Sequence, residues 1–332
     1  MTDGPQAPIH VPETWLGSDL AQSPDRWTYE LSAAERAELV DAAAALRNLP
    51  LQSVTRQSAP LPHLAPVLAH LRAQVQSGLG VVLLRGFPTD VLPLDDVRRL
   101  YWLVGCHLGE AVSQNAAGEL MCDIRDVGND PSDPDVRLYT TSAEQDFHTD
   151  GADIIGLLCL QTAPEGGVSR LASSVTVFNE VARQRPDLVH LLFEDWHWYL
   201  HGQHPDGAAP TFSFPIARWD GTHLATFFIG WWIRRAQGVP GVPAFTAEQE
   251  EVLRLYEQVA NTPGVYLDMD FQPGDMQWIR NAVVLHKRTA YTDPADPARR
   301  RHLLRLWLAA RDFADGDDLL RSGVPESERA TR

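Results

Sequence analysis

A histidine and a carboxylate two positions apart, His148-Thr149-Asp150, can bind one metal ion, because alternate residues of an extended chain point to the same face. The triplet alone is a weak signal. The chain has 12 histidines and carries a second copy of the pattern at His204-Pro205-Asp206. That copy stands in a Gly- and Pro-rich stretch that reads as a loop, which makes it the poorer candidate. A further histidine, His286, lies well downstream in the run that follows the turn Pro273-Gly274-Asp275. Two neutral imidazoles and one carboxylate on one side of a metal leave three positions open, an arrangement suited to oxygen-activating iron(II). A zinc hydrolase could use a similar set, whereas structural zinc needs four ligands, usually with cysteine. The competing reading of His286 is a core histidine whose ring is satisfied by its neighbours.

A basic element follows. Arg299, Arg300 and Arg301 precede the run His302-Leu303-Leu304-Arg305-Leu306-Trp307-Leu308, so Arg301, Arg305 and Trp307 share a face by alternation. An arginine aimed into an apolar interior is costly unless it meets an anion, and a carboxylate answers it with charge-assisted hydrogen bonds. A dicarboxylate co-substrate fits that need. The alternative is an arginine at the surface or one paired with an internal acid. One distal carboxylate occupies only one of the two arginines, so Arg305 is expected to meet an anionic group on the substrate, or the co-substrate's other carboxylate. Gln114 and Asn115, in the polar stretch before His148, are candidates for hydrogen bonds to substrate. Trp231, beside Gly230 and ahead of Arg234-Arg235, is the candidate for a pocket wall. It stands in a region rich in aromatics, with Trp196, Trp198, Tyr199, Phe227, Phe228 and Trp232. Core packing is the simpler use of such residues.

The elements that must position these groups are legible in outline. Residues 1–30 are rich in proline and polar groups and read as an irregular lead-in. Ser32 opens a capping box with Glu35 at the start of a helix reaching about Leu49. Further helices are expected over His63–Gln76, Leu94–Leu108, Val177–Glu194, with a kink at Pro186, and Thr246–Asn261. Strands are expected at Val81–Leu84, Ile154–Leu160, Val168–Val175, Leu224–Ile229, Val265–Phe271, Met276–His286 and Leu303–Ala309. The pattern predicts a mainly β protein with flanking helices: a helical N-terminal layer on a β-barrel or jelly roll, with an insertion at about 177–262. A single domain over 31–315 and a polar tail at 316–332 complete the expected organisation.

Composition excludes several classes. With 44% hydrophobic and 22% charged residues the chain can bury a core and is not disordered. Its formal net charge of −16 disfavours nucleic acid and anionic membrane surfaces, since both attract clustered Lys and Arg. The start lacks the pattern of a secretory signal and no run is long enough to span a bilayer, so a cytoplasmic protein is expected, with a homo-oligomer left open. Three cysteines, Cys106, Cys122 and Cys159, without CxxC spacing read as buried free thiols.

Taken together, the motifs resemble those of the taurine dioxygenase and 2,4-dichlorophenoxyacetate dioxygenase family. The matching pieces stand in the family's order: Gly80 to Pro88, Phe147-His-Thr-Asp-Gly151, Gly166-Gly-Val-Ser169, Phe271-Gln-Pro-Gly-Asp275, Asn281 to Arg288, and Arg301-His-Leu-Leu-Arg305. The resemblance covers roughly residues 80–310. It implies a double-stranded β-helix, a jelly roll of cupin-like form, in which His148, Asp150 and His286 hold Fe(II). It also implies that Arg301 anchors the distal carboxylate of 2-oxoglutarate, that Ser169 stands where the family often has a hydrogen-bonding Thr, and that Arg305 lies near co-substrate or substrate. Such enzymes consume 2-oxoglutarate and dioxygen, release succinate and carbon dioxide, and oxidise a small molecule. A carboxylate, sulfonate or amino-acid-like metabolite is the expected substrate and hydroxylation the expected outcome. Desaturation or cyclisation by the same cofactors, and a metal-binding jelly roll without oxygenase activity, are the alternatives.

Overall fold

Alternation along the strands builds the molecule in layers. Val81, Ile155, Ile279 and Leu303 turn into one apolar cluster, and their neighbours Val82, Ile154, Trp278 and Leu304 turn into another. A sheet apolar on both faces must be covered on both. The computed structural model describes residues 5, 7–115, 117–133, 136–200 and 209–313. It contains a seven-stranded sheet ordered Thr28–Glu30, Val81–Arg85, Met276–Arg280, Ile154–Gln161, His302–Ala309 and Glu110–Ala111, with Met121–Ile124 also paired to His302–Ala309. Its outer face is covered by the helices Ala33–Leu46, Leu64–Ser77 and Leu94–Leu108, whose apolar residues share the second cluster. A four-stranded sheet, ordered Tyr266–Met269, Ser169–Ser173, Val284–Arg288 and Gln145–His148, contributes to the inner cluster. The core is a double-stranded β-helix of jelly-roll type, mixed with helices.

Local chemistry explains the element ends. The capping box at Ser32 forms, with Glu35 N donating to Ser32 Oγ and Ser32 N donating to Glu35 Oε2, and a second box pairs Thr246 with Gln249. The helix expected over Val177–Glu194 stops at Gln184, and a 3-10 turn at Val189–Phe193 follows. Arg185, which precedes Pro186, is held out of the helical region by the proline ring, with φ −137° and ψ 68°. The single strand expected over Met276–His286 is two, Met276–Arg280 and Val284–Arg288, belonging to different sheets. The corner between them is made by Asn281, whose side chain bonds Asp150 N and O and Ala152 O.

The lead-in expected to be irregular contains the helix Gly17–Ala21 and the strand Thr28–Glu30, which extends the large sheet in parallel to Val81–Arg85. Proline content hid both, because tertiary bonds hold them. Glu13 forms a buried ion pair of 2.7 Å with Arg280, and Trp15 Nε1 donates to Leu79 O. Between the strands Ser169–Ser173 and Tyr266–Met269 lie a hairpin of Asp195–Tyr199 with Thr211–Pro215, a strand pair of Ala217–Trp219 with Leu224–Thr226, and the helices Gly230–Ala236 and Ala247–Ala260. Trp198 packs on Phe227 at 4.8 Å between ring centroids and Phe228 on Tyr256 at 4.7 Å, so most aromatics of this region form core. The three cysteines are free; Cys122 and Cys159 are buried and Cys106 is half-buried.

Gly156 stands directly opposite Trp278 in register, and a Cβ there would lie 2.2 Å from the indole. Trp278 is fully buried and leans on Tyr101 at 5.5 Å, so it has nowhere to move. Gly156→Ala is therefore expected to destabilise the fold by about 1–3 kcal/mol, the usual effect of overpacking. A lowered urea midpoint with unchanged slope would show it, and an unchanged midpoint would mean that the layer yields.

Candidate metal centre

The antiparallel pairing of Val284–Arg288 with Gln145–His148 sets His286 directly opposite His148, and their rings lie 4.1 Å apart. Asp150 follows just past the end of its strand, where Thr149 is tied to Phe228 (Thr149 N to O at 2.7 Å, Phe228 N to Thr149 Oγ1 at 2.8 Å). Asn281 clamps the backbone on the other side, accepting from Asp150 N at 2.8 Å. One ligand atom from each of His148, Asp150 and His286 falls within 4.8 Å of the others, and all three residues are buried. His204 and Asp206 lie outside the described residues.

The donors suit a divalent metal. His148 Nδ1 donates to Asp146 O at 2.7 Å, which leaves the Nε2 lone pair for a ligand bond. Burial and the neighbouring His286 push His148 down to about 3, so its ring is neutral. Burial alone would raise Asp150, but Arg305 and the two imidazoles hold it well below the usual carboxylate range. Its Oδ2 accepts from Trp307 Nε1 at 3.0 Å and lies 3.4 Å from Arg305 NH1, so two donors orient the carboxylate. Gln145 Nε2 lies 3.1 Å from His148 Nε2, on the side a metal would occupy, and must turn aside when that lone pair is used.

The same pocket is lined by Ser169, Arg288, Arg301 and Arg305. Arg301 is 4% exposed, its NH1 has no partner, and among the described residues no carboxylate pairs with its guanidinium. Asp293 accepts the backbone N of Arg301, and its charge acts on the guanidinium without an ion-pair contact among the described residues. Gly167 makes room for this side chain: with φ +71°, it would place a Cβ 2.8 Å from Arg301 Nε. Arg288 shares the ring of Tyr291 with Arg301, each at 5.1 Å, and its Nε and NH1 are also unpartnered. Burial and Arg301 lower Arg288 to about 10. Buried cations without an acid mark a place built for an anion. Ser169 Oγ donates to Gln277 Oε1 at 2.8 Å beside them.

Two expected substrate contacts have other employment. Gln114 is 1% exposed and spends its amide on protein, with Oε1 accepting from Arg305 Nε at 2.7 Å and Nε2 donating to Leu120 O and Arg305 O. Asn115 folds into its own loop, with Oδ1 accepting from Ala117 N and Glu119 N. A short polar side chain next to a turn bonds the nearest backbone amides first. Trp231 does reach the centre, its ring edge-on to His148 at 5.2 Å. Arg288, Gln145 and Asn281 had no role assigned from sequence. For Arg288 a signal existed, since two positions from His286 in a strand means the same face.

The chain matches the Taurine catabolism dioxygenase TauD, TfdA family over residues 45–307. It is 32% identical over 310 residues to the FR-33289 synthase of Streptomyces rubellomurinus (strain ATCC 31215), covering 91% of this chain and 90% of that protein. It is 29% identical to the taurine hydroxylase-like protein SAT17 of Stachybotrys chartarum (strain CBS 109288 / IBT 7711), covering 88% and 77%. Among solved structures, asparagine oxygenase in complex with Fe(II), 2S,3S-3-hydroxyasparagine and succinate shares the fold with a TM-score of 0.68 at 18% identity, covering 86% of this chain and 94% of that one. This chain belongs to the TauD/TfdA family and is a non-haem iron(II)/2-oxoglutarate-dependent dioxygenase. Its cofactor is Fe(II), and its co-substrates are 2-oxoglutarate and dioxygen. Among the described residues no helix is long and apolar enough to cross a membrane.

Proposed function

We propose that this oxygenase hydroxylates a small anionic metabolite, a carboxylate, sulfonate or amino-acid-like compound, in the cytoplasm, with His148, Asp150 and His286 as the iron ligands. The observation that carries the reading is the unpartnered guanidinium nitrogens of Arg288, Arg301 and Arg305 around the His-Asp-His set. They fit more than one anion beside a metal, as a dicarboxylate co-substrate and an anionic substrate require. Arg301, supported by Arg288 and Ser169, holds the distal carboxylate of 2-oxoglutarate. Arg305 faces the substrate side and Trp231 walls it from water. Gln114 acts through Arg305 as a positioning residue. The catalytic unit extends the expected 31–315 back to include Glu13 and Trp15, because both bond into the strand layer.

Iron(II), when bound, couples the decarboxylation of 2-oxoglutarate to the oxidation of substrate by dioxygen, with release of succinate and carbon dioxide. The chain's own task is orientation. Trp307 and Arg305 fix which carboxylate oxygen of Asp150 is free, Asp146 fixes the tautomer of His148, and Asn281 fixes the turn between them. Succinate release, measured with iron(II), ascorbate and 2-oxoglutarate across a panel of small acids, tests the substrate reading. An anionic compound is expected to raise succinate formation and to appear with one added oxygen. If neutral or cationic compounds alone do so, the anionic reading fails.

A further inference from the structure

One basic group near the centre is not needed for 2-oxoglutarate. Arg137 lies in the irregular stretch between the strands Met121–Ile124 and Gln145–His148 and is half-buried. Its NH2 donates to the backbone O of Gln114 at 3.1 Å. No carboxylate stands within ion-pairing distance of it among the described residues. Arg305, 6% exposed, is held by the side chain of the same Gln114 and leaves NH2 buried without a partner. Both guanidinium groups lie against the ring of Tyr139, at 5.8 Å for Arg137 and 4.9 Å for Arg305.

The charges around this pair do not balance. The groups facing Arg137 are Arg305, Tyr139, Asp150 and Cys122, and burial and Arg305 together depress its guanidinium. Burial pushes the thiol of Cys122 up, so it stays neutral. Among the described residues that face Arg137, Asp150 is the one anion, and it is shared with Trp307 and the two imidazoles. A carboxylate or sulfonate would be satisfied by the free NH2 of Arg305. The additional N–H groups of Arg137, set beside it by Gln114, ask for a second negative charge and for oxygens pointing in more than one direction.

We propose that Arg137 and Arg305 form a seat for a tetrahedral dianion on the substrate, a phosphate ester or a phosphonate, and that Arg137 sets the preference for two charges over one. The proposal rests on the oxygenase reading above; it keeps that reading's anionic substrate and puts a phosphorus acid in place of the carboxylate or sulfonate. The test is calorimetric titration of anaerobic protein loaded with iron(II) and 2-oxoglutarate, using propyl phosphate, propylphosphonate, propanesulfonate and butyrate at about pH 5.5 and 7.5. A phosphate monoester loses its second proton near pH ~6, whereas a sulfonate keeps one charge throughout and controls for the protein's own titration. The affinity for propyl phosphate, relative to the sulfonate, is expected to rise about tenfold between the two pH values, the worth of one charge-assisted contact, and that for propylphosphonate, whose second proton leaves at a higher pH, to rise in the same direction. The tighter of the two names the source. Arg137→Gln is expected to lose that rise, and Arg137→Lys to recover part of it.

The proposal is overturned if butyrate or propanesulfonate binds as tightly as the dianions at the higher pH, or if neither dianion binds. It is also overturned if Arg137→Gln weakens all four probes alike, which would mean a structural role. The pH comparison in the unsubstituted protein decides the matter even if the variants fail to fold. Failure of the oxygenase reading would look different, as no binding of 2-oxoglutarate to the iron-loaded protein.

Discussion

Alanine at His148 or His286 is expected to abolish iron retention and to lower 2-oxoglutarate turnover by at least ~100-fold. Outer-shell partners of metal ligands alone cost roughly 10–100-fold, and these residues are proposed as the ligands themselves. The fold should survive, because the strands that carry the two rings stay paired through their backbones. Asp150 is different. Its carboxylate accepts from Trp307 and faces Arg305, so Asp150→Ala leaves a buried guanidinium with no acid and should also unfold more readily. Asp150→Asn keeps an acceptor for Trp307 but not the charge that faces Arg305, so it should lose iron with a smaller drop in melting temperature than Asp150→Ala. Metal content and succinate release check both. Iron retained in His148→Ala but lost in His204→Ala would transfer the site to the other triplet.

Arg301→Ala should raise the 2-oxoglutarate requirement by at least an order of magnitude. Losing a charge-assisted pair costs about 2 kcal/mol, and each ~1.4 kcal/mol is tenfold. Arg288 remains beside the site and keeps the loss from being total. Ser169→Ala should act in the same direction and more weakly, since its hydroxyl is already engaged by Gln277. Titrating 2-oxoglutarate in the succinate assay reads the effect, and an unchanged requirement would move the anchor to Arg288 or Arg305. The structure adds a reason for the site's sensitivity: Gly167 can carry no side chain without displacing Arg301.

Much of this was legible before any coordinates, because it rests on local rules. Alternation put Arg301, Arg305 and Trp307 on one face, capping chemistry opened the helix after Ser32, and the family motifs named His148, Asp150 and His286. Each depends on residues a few positions apart. What depended on residues distant in sequence was not legible. The opposition of His286 and His148 is a cross-strand register, and register is decided by how two strands pair in three dimensions. The proline-rich lead-in proved ordered because Arg280 and Leu79 hold it. Gln114 carried the polar signal of a substrate contact, but a buried amide takes the partners that packing supplies, and packing supplied Arg305 and Leu120. For Arg137 the sequence offered no periodicity at all. Only the fold brings it to Tyr139 beside Arg305, since an irregular segment has no repeating geometry from which a side chain's direction can be read.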